Sequence, residues 1–197
     1  MGSFSTIFDQ DGEVRYAPAF FEPGESHSIL QDLLASVDWS QEPIKMFGRL
    51  VMQPRLTCWM ADPGVTYKYS HHLMSPKPWI RSVLEMKQRL EDAISHRFNG
   101  ALLNFYRDGS DSMGWHRDNE KELGSRPVIA SVSFGAERLF ELRRYSSKSD
   151  LKKIKLGHGS VLVMSGTLQD FWEHRIPKTG KLSPVGPRVN VTFRTIC

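Results

Sequence analysis

Five short runs between residues 101 and 194 constrain the fold more than any other feature of this 197-residue chain. They are "ALLNFY" (101–106), "PVIASVSFG" (127–135), "RLFELRR" (138–144), "GSVLVMSG" (159–166) and "RVNVTFR" (188–194). Each is rich in β-branched or aromatic residues, and turn chemistry rather than helical periodicity separates them. Strands in that succession point to an antiparallel sandwich or jelly roll.

The first half of the chain reads differently. Over 25–38, Leu30, Leu33, Leu34 and Val37 fall at i, i+3, i+4 and i+7, which predicts a helix with one apolar face. A second helix is predicted over 77–97, with Pro78 in its first turn and Trp79, Val83, Leu84, Leu90 and Ile94 toward the core. Between them, residues 45–72 are rich in aromatic and methionine side chains, basic, and broken by Pro54, Pro63 and Gly64. That stretch reads as hairpins and loops rather than core. The expectation is one α+β domain, with helices supporting a β-sandwich.

Composition excludes little beyond this. No apolar run is long enough to span a bilayer, and the N-terminus lacks the apolar core of a signal peptide. The "MGSFST" start resembles a myristoylation signal, but no second basic or acylation signal accompanies it. Two cysteines, Cys58 and Cys197, make no disulfide framework and suit a reducing intracellular compartment. The net charge of +4 permits a polyanionic partner without demanding one.

Chemistry first shows in "GWHRDNE" (114–120), where His116 and Asp118 stand two residues apart. On an extended segment both side chains share a face. Alone the pair fits either a metal site or a hydrogen-bonded turn. Of the other histidines, His27 and His96 fall on the predicted helices and His71 and His72 by the aromatic stretch. His158 and His174 flank the strand at 159–166 and remain as possible third ligands. Two histidines and a carboxylate on one side of a metal suit a non-haem Fe(II) oxygenase.

"PRVNVTFR" (187–194) sharpens the reading. Arg188, Asn190, Thr192 and Arg194 alternate with Val189, Val191 and Phe193 in a strict period of two. One face can pack in a core. The other carries two guanidinium groups, an amide and a hydroxyl, which fits either a solvated edge strand or a dicarboxylate ligand. The arginines stand roughly 20 Å apart along an extended strand, so one would hold a distal carboxylate and the other brace the metal-proximal end.

Taken with "NFYRDGSDSMGWHRDNE" and "HGSVLVMSGTLQDFWEHRIPK", this motif resembles the AlkB family of Fe(II)/2-oxoglutarate-dependent dioxygenases, most closely its DNA-repair members. The resemblance runs from about residue 45 to the C-terminus with the motifs in the family's order. It implies a double-stranded β-helix (jelly roll) with N-terminal supporting helices and a nucleotide-recognition loop region. It implies a helical extension over about 1–44, recognition hairpins over about 45–75 and a catalytic core over about 101–197. It further implies His116, Asp118 and His174 as catalytic iron ligands. Arg188 and Arg194 would contact 2-oxoglutarate, with Asn104, Tyr106, Asn190 and Thr192 assisting, and O2 is the second cosubstrate.

The implied activity is oxidative demethylation of N-alkylated bases such as 1-methyladenine and 3-methylcytosine in DNA, releasing formaldehyde, succinate and CO2. A base inside a duplex must be flipped out or presented single-stranded to be reached. Tyr69 would then stack on the base and Tyr67 make a polar contact. Glu120 would accept from the exocyclic amine, and Met46 and Phe47 would wedge into the base stack. Arg49, Arg55, Lys68, Lys77 and Arg107 are candidate phosphate contacts. The partner is therefore nucleic acid, with no membrane, and the enzyme is expected to be a monomer inside the cell, in cytoplasm or nucleoid if bacterial, in the nucleus if eukaryotic. An RNA or protein substrate, and a catalytically silent binding protein, are the alternatives.

Overall fold

The structure, a computed structural model, describes residues 2–46, 49–69, 72–74, 76–180 and 185–197, with backbone alone at 44–46, 67–69 and 72–74. In chain order the elements are β1 (Ser5–Phe8), β2 (Glu13–Ala17), α1 (Pro23–Ser36), β3 (Pro43–Met46), β4 (Arg49–Met52), β5 (Leu56–Ala61), β6 (Tyr67–Tyr69) and β7 (His72–Met74). There follow α2 (Arg81–Ile94), β8 (Gly100–Tyr106), β9 (Met113–His116), a 3-10 turn (Lys121–Leu123), β10 (Ile129–Gly135), β11 (Arg138–Arg144) and β12 (Lys152–Leu156). β13 (Ser160–Ser165), α3 (Leu168–Phe171), β14 (Trp172–Ile176) and β15 (Arg188–Arg194) complete the chain.

A seven-stranded sheet, ordered β1-β2-β13-β10-β15-β8-β5, faces a four-stranded sheet, β12-β11-β14-β9, and β3–β4 and β6–β7 are separate hairpins. All of these ladders are antiparallel. Alternation along the large sheet divides the core in two. Val161 and Val163 of β13, with Val189, Val191 and Phe193 of β15, join Leu30 and Leu33 of α1 and Val83, Met86 and Leu90 of α2. Leu162 and Met164 turn the other way, toward Phe140, Leu142, Ile154 and Trp172 of the small sheet. Each such fully buried large side chain contributes about 1.5–3 kcal/mol relative to exposure. With helices on one face and a sheet on the other, all of β15 is buried. Its polar face therefore looks into the space between the sheets.

The jelly roll is the architecture the strand runs predict, and three local differences have physical reasons. The second helix begins at Arg81 rather than 77 because Lys77 N–H donates to Trp59 O at 2.8 Å, keeping the chain extended through Pro78. The stretch read as hairpins and loops contains a core strand: β5 pairs β8 from Leu56↔Phe105 to Ala61↔Gly100, burying Cys58, Trp59, Met60 and Ala61. A continuous apolar run buried on both faces has no period to read. The first 44 residues supply strands as well as a helix, and β2 pairs with β13. No helix among the described residues is long and apolar enough to cross a membrane.

Candidate active site

Register brings the first ligands together. β14 pairs β9 with His174 directly opposite His116, and the two rings lie 4.2 Å apart by centroid. Trp172, His174 and Ile176 point between the sheets, while Glu173 and Arg175 turn the other way and pair with Arg143 and Glu141. Asp118 follows two residues after the end of β9. Its Oδ1 is 4.0 Å from His116 Nε2 and its Oδ2 is 3.9 Å from His174 Nε2. One ligand atom from each residue lies within 4.8 Å of the others.

Protonation states suit a cation. His116 Nδ1 lies 2.9 Å from Gly114 O, so Nδ1 carries the proton and donates it, leaving the Nε2 lone pair toward Asp118. Burial lowers the His116 pKa, and burial together with the neighbouring His116 ring pushes His174 down to about 3. Both imidazoles are neutral at neutral pH. Burial pushes the Asp118 carboxyl up, but the Arg194 guanidinium and the imidazoles outweigh it and hold the group at about 2. Arg194 Nη2 donates to Asp118 Oδ1 at 2.9 Å. Two neutral nitrogens and one ionised carboxylate are the donor set that ferrous iron takes in a facial arrangement, so these residues fit the metal.

The same cavity extends along the polar face of β15 to Arg188. Arg188 is 1% exposed; its Nη2 donates to Ser133 Oγ at 2.9 Å and its guanidinium carbon lies 5.0 Å from the Tyr106 ring centroid. Its Nε and Nη1 are buried without a well-formed hydrogen bond among the described residues, the Tyr106 side chain being the polar group beside the guanidinium. A buried guanidinium with two N–H groups to spare calls for an anion with two oxygens. Asn190 is engaged by the protein: its Nδ2 donates to Ser131 Oγ and Val132 O, and its Oδ1 accepts from Thr192 Oγ1. Asn104 and Tyr106 enter from β8, opposite Asn190 and Arg188. Met113, Phe140, Leu156 and Ile176 close the cavity with apolar surface.

Thus nine predicted residues, His116, Asp118, His174, Asn104, Tyr106, Arg188, Asn190, Thr192 and Arg194, line one cavity. Glu120 is half-buried on the turn after Asp118 and is not among the lining residues. Phe47 lies outside the described residues, as do the side chains of Met46, Tyr67, Tyr69 and Lys68; their strands form the β3–β4 and β6–β7 hairpins. His158 is not the third ligand, because its Nδ1 accepts from Gly135 N–H on another strand.

One phosphate-contact expectation changes. Arg55 is 3% exposed, and its Nε donates to Asn104 Oδ1 at 2.7 Å, so it belongs to the interior. Arg107 is exposed and bound through two nitrogens by the buried Asp111 carboxylate. Arg49 is exposed, and Lys77 is exposed and paired with Asp38. Sequence reasoning passed over Ser131 and Ser133, although "ASVSF" alternates with the same period as β15 and signals them.

Comparison with known proteins agrees with this geometry. The pattern of the 2OG-Fe(II) oxygenase superfamily matches residues 13–194. The mouse alpha-ketoglutarate-dependent dioxygenase alkB homolog 3 is 42% identical over 188 residues, covering 91% of this chain and 64% of its own. The human DNA oxidative demethylase ALKBH2 is 36% identical over 186 residues, covering 89% of this chain and 70% of its own. The chain thus spans somewhat under two thirds of the homolog 3 proteins it matches. The solved structure of OsALKBH1 shares the fold, with a TM-score of 0.67 over 97% of this chain and 100% of that one at 16% identity. With the pattern matched from β2 to the end of β15, this chain belongs to the AlkB family of 2OG-Fe(II) dioxygenases.

Proposed function

We propose that the chain is an Fe(II)/2-oxoglutarate-dependent demethylase of N-alkylated nucleobases, with 1-methyladenine and 3-methylcytosine in DNA as substrates. The observation that carries this is a single buried cavity with a two-histidine, one-carboxylate cluster at one end and a buried, under-satisfied Arg188 at the other. When bound, ferrous iron and 2-oxoglutarate supply the oxidation by O2 that turns an N-methyl group into N-hydroxymethyl, with succinate and CO2 as coproducts; the carbon then leaves as formaldehyde.

The protein's part is placement. His116 Nε2, an Asp118 oxygen and His174 hold the metal from one side, and Arg194 keeps the Asp118 carboxylate ionised and oriented. Arg188 takes the distal carboxylate of the cosubstrate, beside Ser133 and Tyr106, with Asn104, Asn190 and Thr192 lining its length. The apolar wall of Met113, Phe140 and Ile176 limits water. Tyr69 stacks on the base, Tyr67 and Glu120 make polar contacts to it, and Met46 and Phe47 fill the gap in the stack. The enzyme acts as a monomer on its nucleic-acid substrate. Two free cysteines suit a reducing compartment inside the cell.

Replacing Arg188 by methionine is expected to raise the KM for 2-oxoglutarate by about 10–100-fold, since a hydrogen bond to a charged group contributes roughly 1.5–3 kcal/mol. Steady-state kinetics with varied 2-oxoglutarate checks this, and kcat at saturation should fall much less.

The activity itself is tested with an oligonucleotide carrying one 1-methyladenine, offered as single-stranded DNA, duplex DNA and RNA. Mass spectrometry follows the methyl group, with His116→Ala as control. Loss of the methyl by the wild type alone, in DNA, supports the reading. Activity confined to RNA would move the substrate, and 2-oxoglutarate consumption without loss in any form would refute a base substrate.

A further inference from the structure

The segment that carries two metal ligands is held by a side chain from the segment that carries the third. Asp118 lies beyond the end of β9, and its backbone N–H donates to Gln169 Oε1 at 2.9 Å. The contact is interior: Asp118 is 2% exposed and Gln169 3%. Gln169 sits in α3, five residues before His174. Its amide has one workable orientation. Nε2 lies 3.8 Å from Met164 Sδ, a weak acceptor, and a turned amide would set its NH2 group against the Asp118 N–H.

The same turn is gripped from a second direction. Arg117, between the two ligands, places Nη1 3.4 Å from Gln169 O and 3.3 Å from Asp170 O. Those carbonyls end a four-residue helix that cannot satisfy them internally. The Arg117 guanidinium carbon lies 3.7 Å from the Tyr145 ring centroid, and Tyr145 N–H donates to Phe171 O at 2.8 Å.

We infer that Gln169 is a positioning residue for the metal centre: by accepting the Asp118 N–H it fixes the peptide plane from which the carboxylate faces His116 and His174. The inference rests on the metal-site reading above. A glutamine serving only to fill space would leave metal affinity unchanged when replaced by leucine, which has nearly its volume and no acceptor.

Mn(II) titration followed by electron paramagnetic resonance of the free ion separates these, using wild type, Gln169→Leu, Gln169→Glu and His116→Ala. Gln169→Leu is expected to raise the Mn(II) Kd by about 10–100-fold, the usual cost of losing a partner of a metal ligand. Gln169→Glu keeps an acceptor and should lie closer to wild type than to the leucine variant. In the wild type, the Asp118 amide should be strongly protected from hydrogen exchange, a measurement that stands even where Gln169→Leu does not fold. Wild-type affinity in Gln169→Leu, with binding lost in His116→Ala, would overturn the role of Gln169 and leave the metal site standing. An Asp118 amide exchanging as fast as an exposed turn would overturn it too. Absence of Mn(II) binding in the wild type would remove both.

Discussion

Replacing His174 by alanine is expected to abolish metal binding and to lower turnover by more than about a hundredfold, beyond the range seen when only a ligand's supporting partner is lost. The imidazole is the one ligand from β14, an interior strand of the small sheet, and among the described residues no other metal-ligating side chain joins the cluster. Its ring packs between His116 and Phe140, with centroids 4.2 and 5.2 Å away. His174 Nδ1 makes no hydrogen bond among the described residues, and Asp118, 3.9 Å from Nε2, keeps its hydrogen bond from Arg194, so the fold loses mainly packing. Unfolding free energy should therefore change by less than about 2 kcal/mol. Metal content after reconstitution, beside a urea unfolding curve, checks both halves. Loss of activity with normal metal content would contradict the ligand assignment.

The second large effect concerns stability. Arg194→Met is expected to destabilise the metal-free protein by about 3–5 kcal/mol, because it removes the guanidinium that compensates the buried Asp118 carboxylate. The two side chains are 2% and 3% exposed, so water cannot take over. Linkage gives the sign of the pH dependence. Asp118 titrates near 2 in the folded chain against an ordinary 3.8, so its stabilisation is complete above pH 3.8 and fades as pH falls toward 2. A bound divalent metal offers the carboxylate another cation, so the gap in Tm between variant and wild type should narrow when Mn(II) is added. Thermal unfolding with and without Mn(II) tests this; a gap that metal leaves unchanged would place the effect of Arg194 elsewhere than on Asp118.

Much of this was legible in the residues, and the remainder depended on contacts between distant segments. The alternation of β15 announced an apolar face and a polar one, but a solvated edge would read the same. Only the burial of the strand between helices and the small sheet makes its polar face a cavity wall. "GWHRDNE" offered two ligands, whereas the choice of His174 over His158 turns on the β14–β9 register. Arg55 illustrates the opposite case. A basic residue among aromatics reads as a surface charge, and acceptors from other segments, the Asn104 side chain on the paired strand β8 and Ser112 O, make its burial tolerable. Gln169 carries no motif at all; its meaning comes from a single interior N–H.

The measurement that tests the central claim most directly is anaerobic addition of 2-oxoglutarate to the Fe(II)-loaded wild type and to the His174→Ala and Arg188→Met variants, followed by visible absorption. If the three ligands and Arg188 form one site, the wild type develops the charge-transfer band of an iron-bound 2-oxo acid. His174→Ala then develops none, and Arg188→Met needs about 10–100-fold more 2-oxoglutarate to reach the same band. An absent band in the wild type, or a band that survives undiminished in His174→Ala, would contradict the account.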